Sequence, residues 1–207
     1  MRGKNYRIEL RSRIIEAATT LFRQHGIKRV TMDDVAHSLG ISKRTLYEVF
    51  REKEALVVEC LKLHHQQFLQ KAEDFQQQNN NVLETTLQTL HYALKQYSET
   101  SKAFFDDVDI YPQVKELIQK DRERKREASM EYFELGVKQG IFNADLNYEI
   151  IALLNDSLSK MLIENSALKS FPLSEVVETI LMTFLRGIVT EKGRIILDSF
   201  YKEHHQK

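Results

Sequence analysis

Helix breakers are scarce in this chain: two prolines and seven glycines in 207 residues. Long stretches between them carry apolar residues three and four positions apart, so the sequence predicts an all-α fold. A lone cysteine, Cys60, excludes an internal disulfide and predicts a reducing compartment. No apolar run is long enough to span a bilayer, and the charged N-terminus MRGKNYRIELRSR lacks the apolar stretch of a signal peptide. A soluble cytoplasmic protein with no membrane partner is the expectation. The chain also lacks a Gly-rich phosphate loop, a Cys/His cluster and a cradled carboxylate pair, so no enzyme activity, cofactor or metal is predicted. His64-His65 and His204-His205 are adjacent pairs, which do not share a helix face as metal ligands at i, i+4 do. Asp106, Asp107 and Asp109 read as surface acids.

Charge of one sign is not in excess either, with 30 Lys and Arg against 30 Asp and Glu. The balance hides a division. Residues 1–53 hold twelve cations against six acids, and residues 54–207 hold eighteen against twenty-four. A basic head on an acidic body predicts that the head alone meets a polyanion. The charge division is read as a domain boundary, with residues 1–53 as a small polyanion-binding part and residues 54–207 as a separate, larger part.

Residues 31–50, TMDDVAHSLGISKRTLYEVF, carry the most information. Thr31 is placed to cap a helix whose first turn holds Asp33 and Asp34, where acids suit the positive helix end. Val35, Ala36 and Leu39 form its buried face, and Gly40 ends it. Ser42 then caps a second helix in which Leu46, Val49 and Phe50 face inward. Lys43, Arg44, Thr45, Tyr47 and Glu48 remain near or on the other side. Two such helices around a tight turn present the second one to the DNA major groove.

From about Arg7 to Leu56 the chain resembles the TetR family of bacterial transcriptional regulators, above all in AATTLFRQHGIKRVTMDDVA and GISKRTLYEVFREKEAL. One position departs: many relatives carry Tyr or His where this chain has Val49, which cannot make their polar operator contact. The resemblance implies an N-terminal three-helix helix-turn-helix head for DNA binding, residues 1–53, on a larger helical body for ligand binding and dimerisation, residues 54–207. It also implies that a ligand moves the two heads of a homodimer out of register with successive grooves.

The chemistry of the head assigns the contacts. Arg44 suits a bidentate bond to guanine O6 and N7, and Lys43 can do that or hold a phosphate. Thr45 meets a phosphate or a thymine methyl, Tyr47 gives its hydroxyl to a phosphate, and Ser42 stands with them at the helix start. Thr31 and Lys53, at the starts of two helices, meet phosphates. Glu48 could accept from cytosine N4, although a solvated acid is the plainer reading. Two heads would read a palindromic operator in double-stranded DNA, with half-sites about one turn (~34–36 Å) apart.

The body is read as a series of helices. The first helix of the chain spans Tyr6–His25 after a short basic arm, and a long one spans Lys53–Gln77. Others run over Val82–Glu99, from Pro112 to Gln139, over Tyr148–Asn165, and from a Ser174 cap to Lys192. The last two are apolar over a wide arc, so Leu154, Leu158, Ile180, Phe184 and Ile188 are expected at a homodimer interface. A pocket for a small apolar or aromatic effector is placed among His91, Phe104, Phe105, Tyr111, Phe133, Asn155 and Ser159. The function predicted is a ligand-responsive regulator, a repressor in the first instance. The alternatives are a partner-binding regulator and a small-molecule carrier with a vestigial head.

Overall fold

The structure is a computed structural model that describes residues 2–79, 81–108, 111–164 and 168–204. Among these it is all-α: α1 (Arg2–His25), α2 (Met32–Ser38), α3 (Lys43–Val49), α4 (Lys53–Gln78), α5 (Val82–Ser98), α6 (Lys102–Val108), α7 (Pro112–Lys138), α8 (Tyr148–Glu164), α9 (Leu173–Ile188) and α10 (Glu191–His204). The expected basic arm is thus helical from Arg2, and Asn165 lies outside the described residues. The only extended pairing among them is one bridge, Phe142 with Val189. No described helix is long and apolar enough to cross a membrane. The chain divides into two compact units, Met1–Phe68 with Glu99–Ile118 and Leu69–Ser98 with Gln119–Lys207.

In the first unit the apolar positions of α1 recur every three or four residues. Leu10, Ile14, Ala18 and Phe22 accordingly vanish from solvent, together with Ile15. They share one core with Val35 and Ala36 of α2, Leu46 of α3, Phe50, and Leu56, Val57 and Cys60 of α4. Burial pushes the Cys60 thiol up to about 12, so it behaves as a small apolar side chain rather than a nucleophile.

The end of α1 is closed from α6. Gly26 turns left-handed at φ +86° and donates its N–H to Phe22. The Ser101 N–H bonds the Arg23 carbonyl at 2.8 Å, and Arg23 Nε bonds Thr100 Oγ1 at 2.9 Å. A Cβ on Gly26 would lie 2.8 Å from Ala103 Cβ, so glycine serves both the turn and the approach of α6.

In the second unit α5 lies against α9 and α10. Its Val82, Leu83, Leu87 and Leu90 share a core with Phe133, Ile141, Phe142, Met182, Leu185, Ile188 and Leu197. The helix expected from Ser174 to Lys192 is shorter than the sequence suggests. It starts at Leu173 with Pro172 rather than Ser174 at its N-cap, and it stops at Ile188. Val189 turns extended and pairs with Phe142, and the Thr190 N–H bonds the Ile141 carbonyl at 2.8 Å. Thr190 Oγ1 then accepts from the Gly193 N–H at 3.3 Å and opens α10, a separate helix that the apolar pattern alone did not mark.

The two left-handed glycines of the head separate two costs. A Cβ on Gly40, at φ +63°, would meet nothing within 4 Å, so Gly40→Ala carries only the backbone penalty, about 1 kcal/mol. Gly26→Ala adds the collision with α6 and should cost ~2–4 kcal/mol. Urea unfolding checks this: the midpoint falls in both variants and furthest for Gly26→Ala, with slopes unchanged.

Candidate nucleic-acid interface

The helix-turn-helix is built from two caps. Thr31 and Asp34 form a reciprocal capping box: Thr31 Oγ1 accepts from the Asp34 N–H at 3.2 Å, and Asp34 Oδ2 accepts from the Thr31 N–H at 2.8 Å and its hydroxyl at 2.7 Å. These bonds, the backbone one foremost, hold the Asp34 carboxyl below its ordinary range. Gly40 makes the turn, with the Ile41 N–H reaching back to the Ala36 carbonyl. Ser42 Oγ accepts from the Thr45 N–H at 3.1 Å and lies 2.8 Å from its hydroxyl, which starts α3.

Helix α3 divides cleanly. Leu46 is fully buried and Phe50 nearly so, while Val49 packs partly against the same core. Ser42, Lys43, Arg44, Tyr47 and Glu48 are exposed and Thr45 is half-buried. The predicted contact residues of α3 therefore stand on the solvent side of one short helix. Thr31, at the start of α2, is exposed too.

The cations are not bare. Lys43 Nζ lies 2.9 Å from an Asp33 carboxylate oxygen, which raises its pKa, and 6.0 Å from the Tyr47 ring centre. Arg44 Nε donates to Glu48 Oε1 at 3.1 Å. Both pairs are exposed, so each adds little to stability by itself, and the Nη groups of Arg44 are not part of its bond to Glu48. Lys53 is half-buried and folded over the Phe22 ring, with Nζ 3.4 Å from the Lys28 carbonyl. Burial pushes its ammonium down, and the charges of Asp107 and Asp34 pull the other way.

Several supporting residues escaped the sequence reading. Asp107 is no surface acid: it is the one buried charged side chain among the described residues. Its Oδ2 accepts the Lys28 N–H at 2.7 Å, which ties α6 to the loop before α2. Arg7 donates to the Glu48 carbonyl at 3.1 Å, and Arg11 meets Glu59 at 2.6 Å while lying over the Phe50 ring. Arg7 and Arg11 stand at i, i+4 on α1, a spacing visible in advance. The partner of Asp107 is 79 residues away and carries no local signal.

The residues assigned to an effector pocket fall in both units. Phe104 and Tyr111 pack against the core of the first unit, and Phe105 rests against Phe104. In the second unit Phe133 is core, stacked on Tyr148 at 4.8 Å and edge-on to Phe142. His91 is exposed, its ring 4.7 Å from that of His204. Asn155 is half-buried in α8, and the side chain of Ser159 lies outside the described residues. Asp109, His205 and most side chains of the charge run 120–129 lie outside them as well.

Of the expected interface residues, Leu154 is 55% exposed, and Leu158, Ile180 and Phe184 are half-buried. Ile188 is a correction. It is 4% exposed within one chain, because α9 turns it into the core beside Leu185 and Leu197. Ile150 and Leu153, not singled out from sequence, extend the exposed apolar side of α8 at i, i+3, i+4 with Leu154.

The family model described as bacterial regulatory proteins, tetR family, matches residues 14–60. The chain is 31% identical over 137 residues to the uncharacterized HTH-type transcriptional regulator YhgD of Bacillus subtilis, covering 64% of this chain and 72% of that protein. It is 28% identical over 150 residues to the HTH-type transcriptional repressor KstR2 of Rhodococcus jostii, covering 68% and 71%. Among solved structures, a transcriptional regulator from Saccharomonospora viridis in complex with choline has the same fold. It matches with a TM-score of 0.67 at 19% identity, covering 88% of this chain and 99% of that one.

The buried carboxylate predicts its own test. Asp107→Ala leaves the Lys28 N–H without an acceptor and should cost ~1–3 kcal/mol of stability. Asp107→Asn keeps an acceptor and should lose less. Chemical denaturation of both variants decides it; equal losses would show that the bond to Lys28 is not what Asp107 supplies.

Proposed function

Because the chain belongs to the TetR family of bacterial regulatory proteins, we propose that it is a ligand-responsive transcriptional repressor. In this reading a homodimer binds a palindromic operator in double-stranded DNA and releases it when a small apolar or aromatic molecule binds the helical body. The observation that carries the reading is the solvent side of α3, where Lys43, Arg44 and Tyr47 stand exposed while Leu46 behind them is fully buried. Such a helix can enter the major groove without loss of its own packing.

The roles follow from reach and chemistry. Arg44 reads guanine through its fork of donors. Lys43, drawn toward the first turn of α2 by Asp33, holds a phosphate. Thr31, Ser42, Thr45 and Tyr47 give hydroxyl or backbone donors to the same strand's phosphates. Lys53 leaves its contact with Lys28 for a phosphate, where its ammonium regains a full partner. KstR2 carries the name of a repressor and the Saccharomonospora protein holds choline, which supports repression and effector binding here. Leu154, with Ile150 and Leu153, supports a second copy packed on α8, joined by Leu158, Ile180 and Phe184. Function divides at residue 53, with the reading head before it and the sensing and dimerising part after.

Binding to DNA from upstream of the chain's own gene tests the reading, measured by fluorescence anisotropy against a random duplex. Preference for the upstream fragment is expected. Equal affinity would favour the carrier or partner-binding alternatives. In the same assay Lys53→Ala should weaken binding to both duplexes alike and lower the slope of log affinity against log salt by roughly one unit. An unchanged slope removes Lys53 from the DNA contacts.

Assembly has a separate test. Leu154→Glu leaves the core of a single chain untouched but sets two carboxylates against apolar surface in a dimer. Sedimentation should show a wild-type dimer at micromolar concentration and a folded monomeric variant with little operator affinity. A wild-type monomer removes the homodimer from the reading, and a variant still dimeric places the interface elsewhere.

A further inference from the structure

We propose that Glu48 is a positioning residue for base recognition: its carboxylate holds the Arg44 guanidinium in the orientation that meets guanine. The inference rests on the DNA-reading role assigned to α3.

Arg44 is 89% exposed, so on its own its long side chain would sample many rotamers and meet any phosphate in reach. Glu48 follows one turn later on the same side, and Arg44 Nε donates to Glu48 Oε1 at 3.1 Å. Nε is the one donor of the guanidinium outside the pair of terminal Nη groups. The group is planar, so fixing Nε fixes the direction of the Nη edge, the edge that a bidentate bond to guanine O6 and N7 uses. The acid itself stands on an anchored turn. The Glu48 carbonyl accepts from Arg7 Nη2 at 3.1 Å, which joins the end of α3 to α1, and Leu46 and Phe50 on either side are buried. The neighbouring cation is handled differently. Lys43 is bonded at 2.9 Å to Asp33 on another helix. Each of the two acids thus holds one of the two cations.

A carboxylate in this place does a second thing. Near a phosphate it repels, so Arg44 held by Glu48 is a poorer general anion binder than a free arginine. Glu48 therefore trades non-specific affinity for discrimination. A direct bond from Glu48 to cytosine N4 would instead make Glu48 a base reader independent of Arg44.

Selection of binding sites from random duplexes by the full chain separates these roles, with affinities then measured on the selected site and its single-base variants. Four variants are compared with wild type: Arg44→Ala, Glu48→Ala, Glu48→Gln and the double Arg44→Ala/Glu48→Ala. Glu48→Ala should relax preference at the same base pair as Arg44→Ala, by about twofold to fivefold, the coupling expected of an exposed ion pair. It should also tighten binding to random duplex. In the Arg44→Ala background Glu48→Ala should change nothing further at that base pair. Glu48→Gln, which keeps an acceptor for Nε, should retain the wild-type preference. A loss of preference at a different base pair, or additive losses in the double variant, overturns the proposal. So does a uniform gain in affinity with preference intact, the mark of simple repulsion. A wild type that selects no sequence overturns the DNA-reading role itself.

Discussion

A seven-residue helix cannot hold itself together in water, and α3, the helix proposed to read DNA, is such a helix. Nucleation costs more than so few backbone bonds return, so α3 exists because its inner side is buried. Leu46 is the centre of that burial, in one core with Ile14, Ala18 and Phe22 of α1, Val35 and Ala36 of α2, and Leu56 of α4. The Ser42 cap and the Gly40 turn fix where the helix begins. Everything outward then becomes available for recognition, because none of the residues from Lys43 to Tyr47 that face solvent is needed for packing.

The same economy of contacts shapes the loop that leads into α2. The end of α1 and this loop are held to α6 and the residues just before it by three bonds: the Ser101 N–H to the Arg23 carbonyl, the Arg23 side chain to the Thr100 hydroxyl, and the Lys28 N–H to the Asp107 carboxylate. A buried carboxylate is tolerated only where it is bonded or paired, and here it accepts a backbone N–H at 2.7 Å and has the Lys28 ammonium nearby at 3.9 Å. Gly26 is the residue that lets α6 approach so closely. The position of the capping box, and hence of Thr31, depends on this junction as much as on α2 itself.

The head was legible in the sequence because its signals are local. Caps, turn glycine and apolar spacing fall within twenty residues, and each prescribes a backbone conformation by itself. The limits of α4, α5 and α7 were legible for the same reason, with Pro112 and Gly140 as punctuation. The break between α9 and α10 was not. It depends on a bridge from Val189 to Phe142 and on Thr190 bonding the Ile141 carbonyl, both across more than forty residues. Ile188 was misassigned for that reason: a wide apolar arc shows that a helix is covered on several sides but not by what. Aromatic residues of the body mislead similarly. Phe104 and Phe133 are both partly or wholly buried, yet they belong to the cores of different units, and composition cannot tell packing from pocket.

The central claim is that the outer side of α3 reads base edges and that Arg44 does so at guanine. Replacing single guanines of the operator by 7-deazaguanine removes the N7 acceptor and leaves base pairing intact. One guanine in each half-site is then expected whose replacement weakens the wild-type protein by about tenfold and leaves Arg44→Ala unaffected. If every replacement weakens both proteins equally, or weakens neither, Arg44 does not read guanine and α3 does not have the role given to it here.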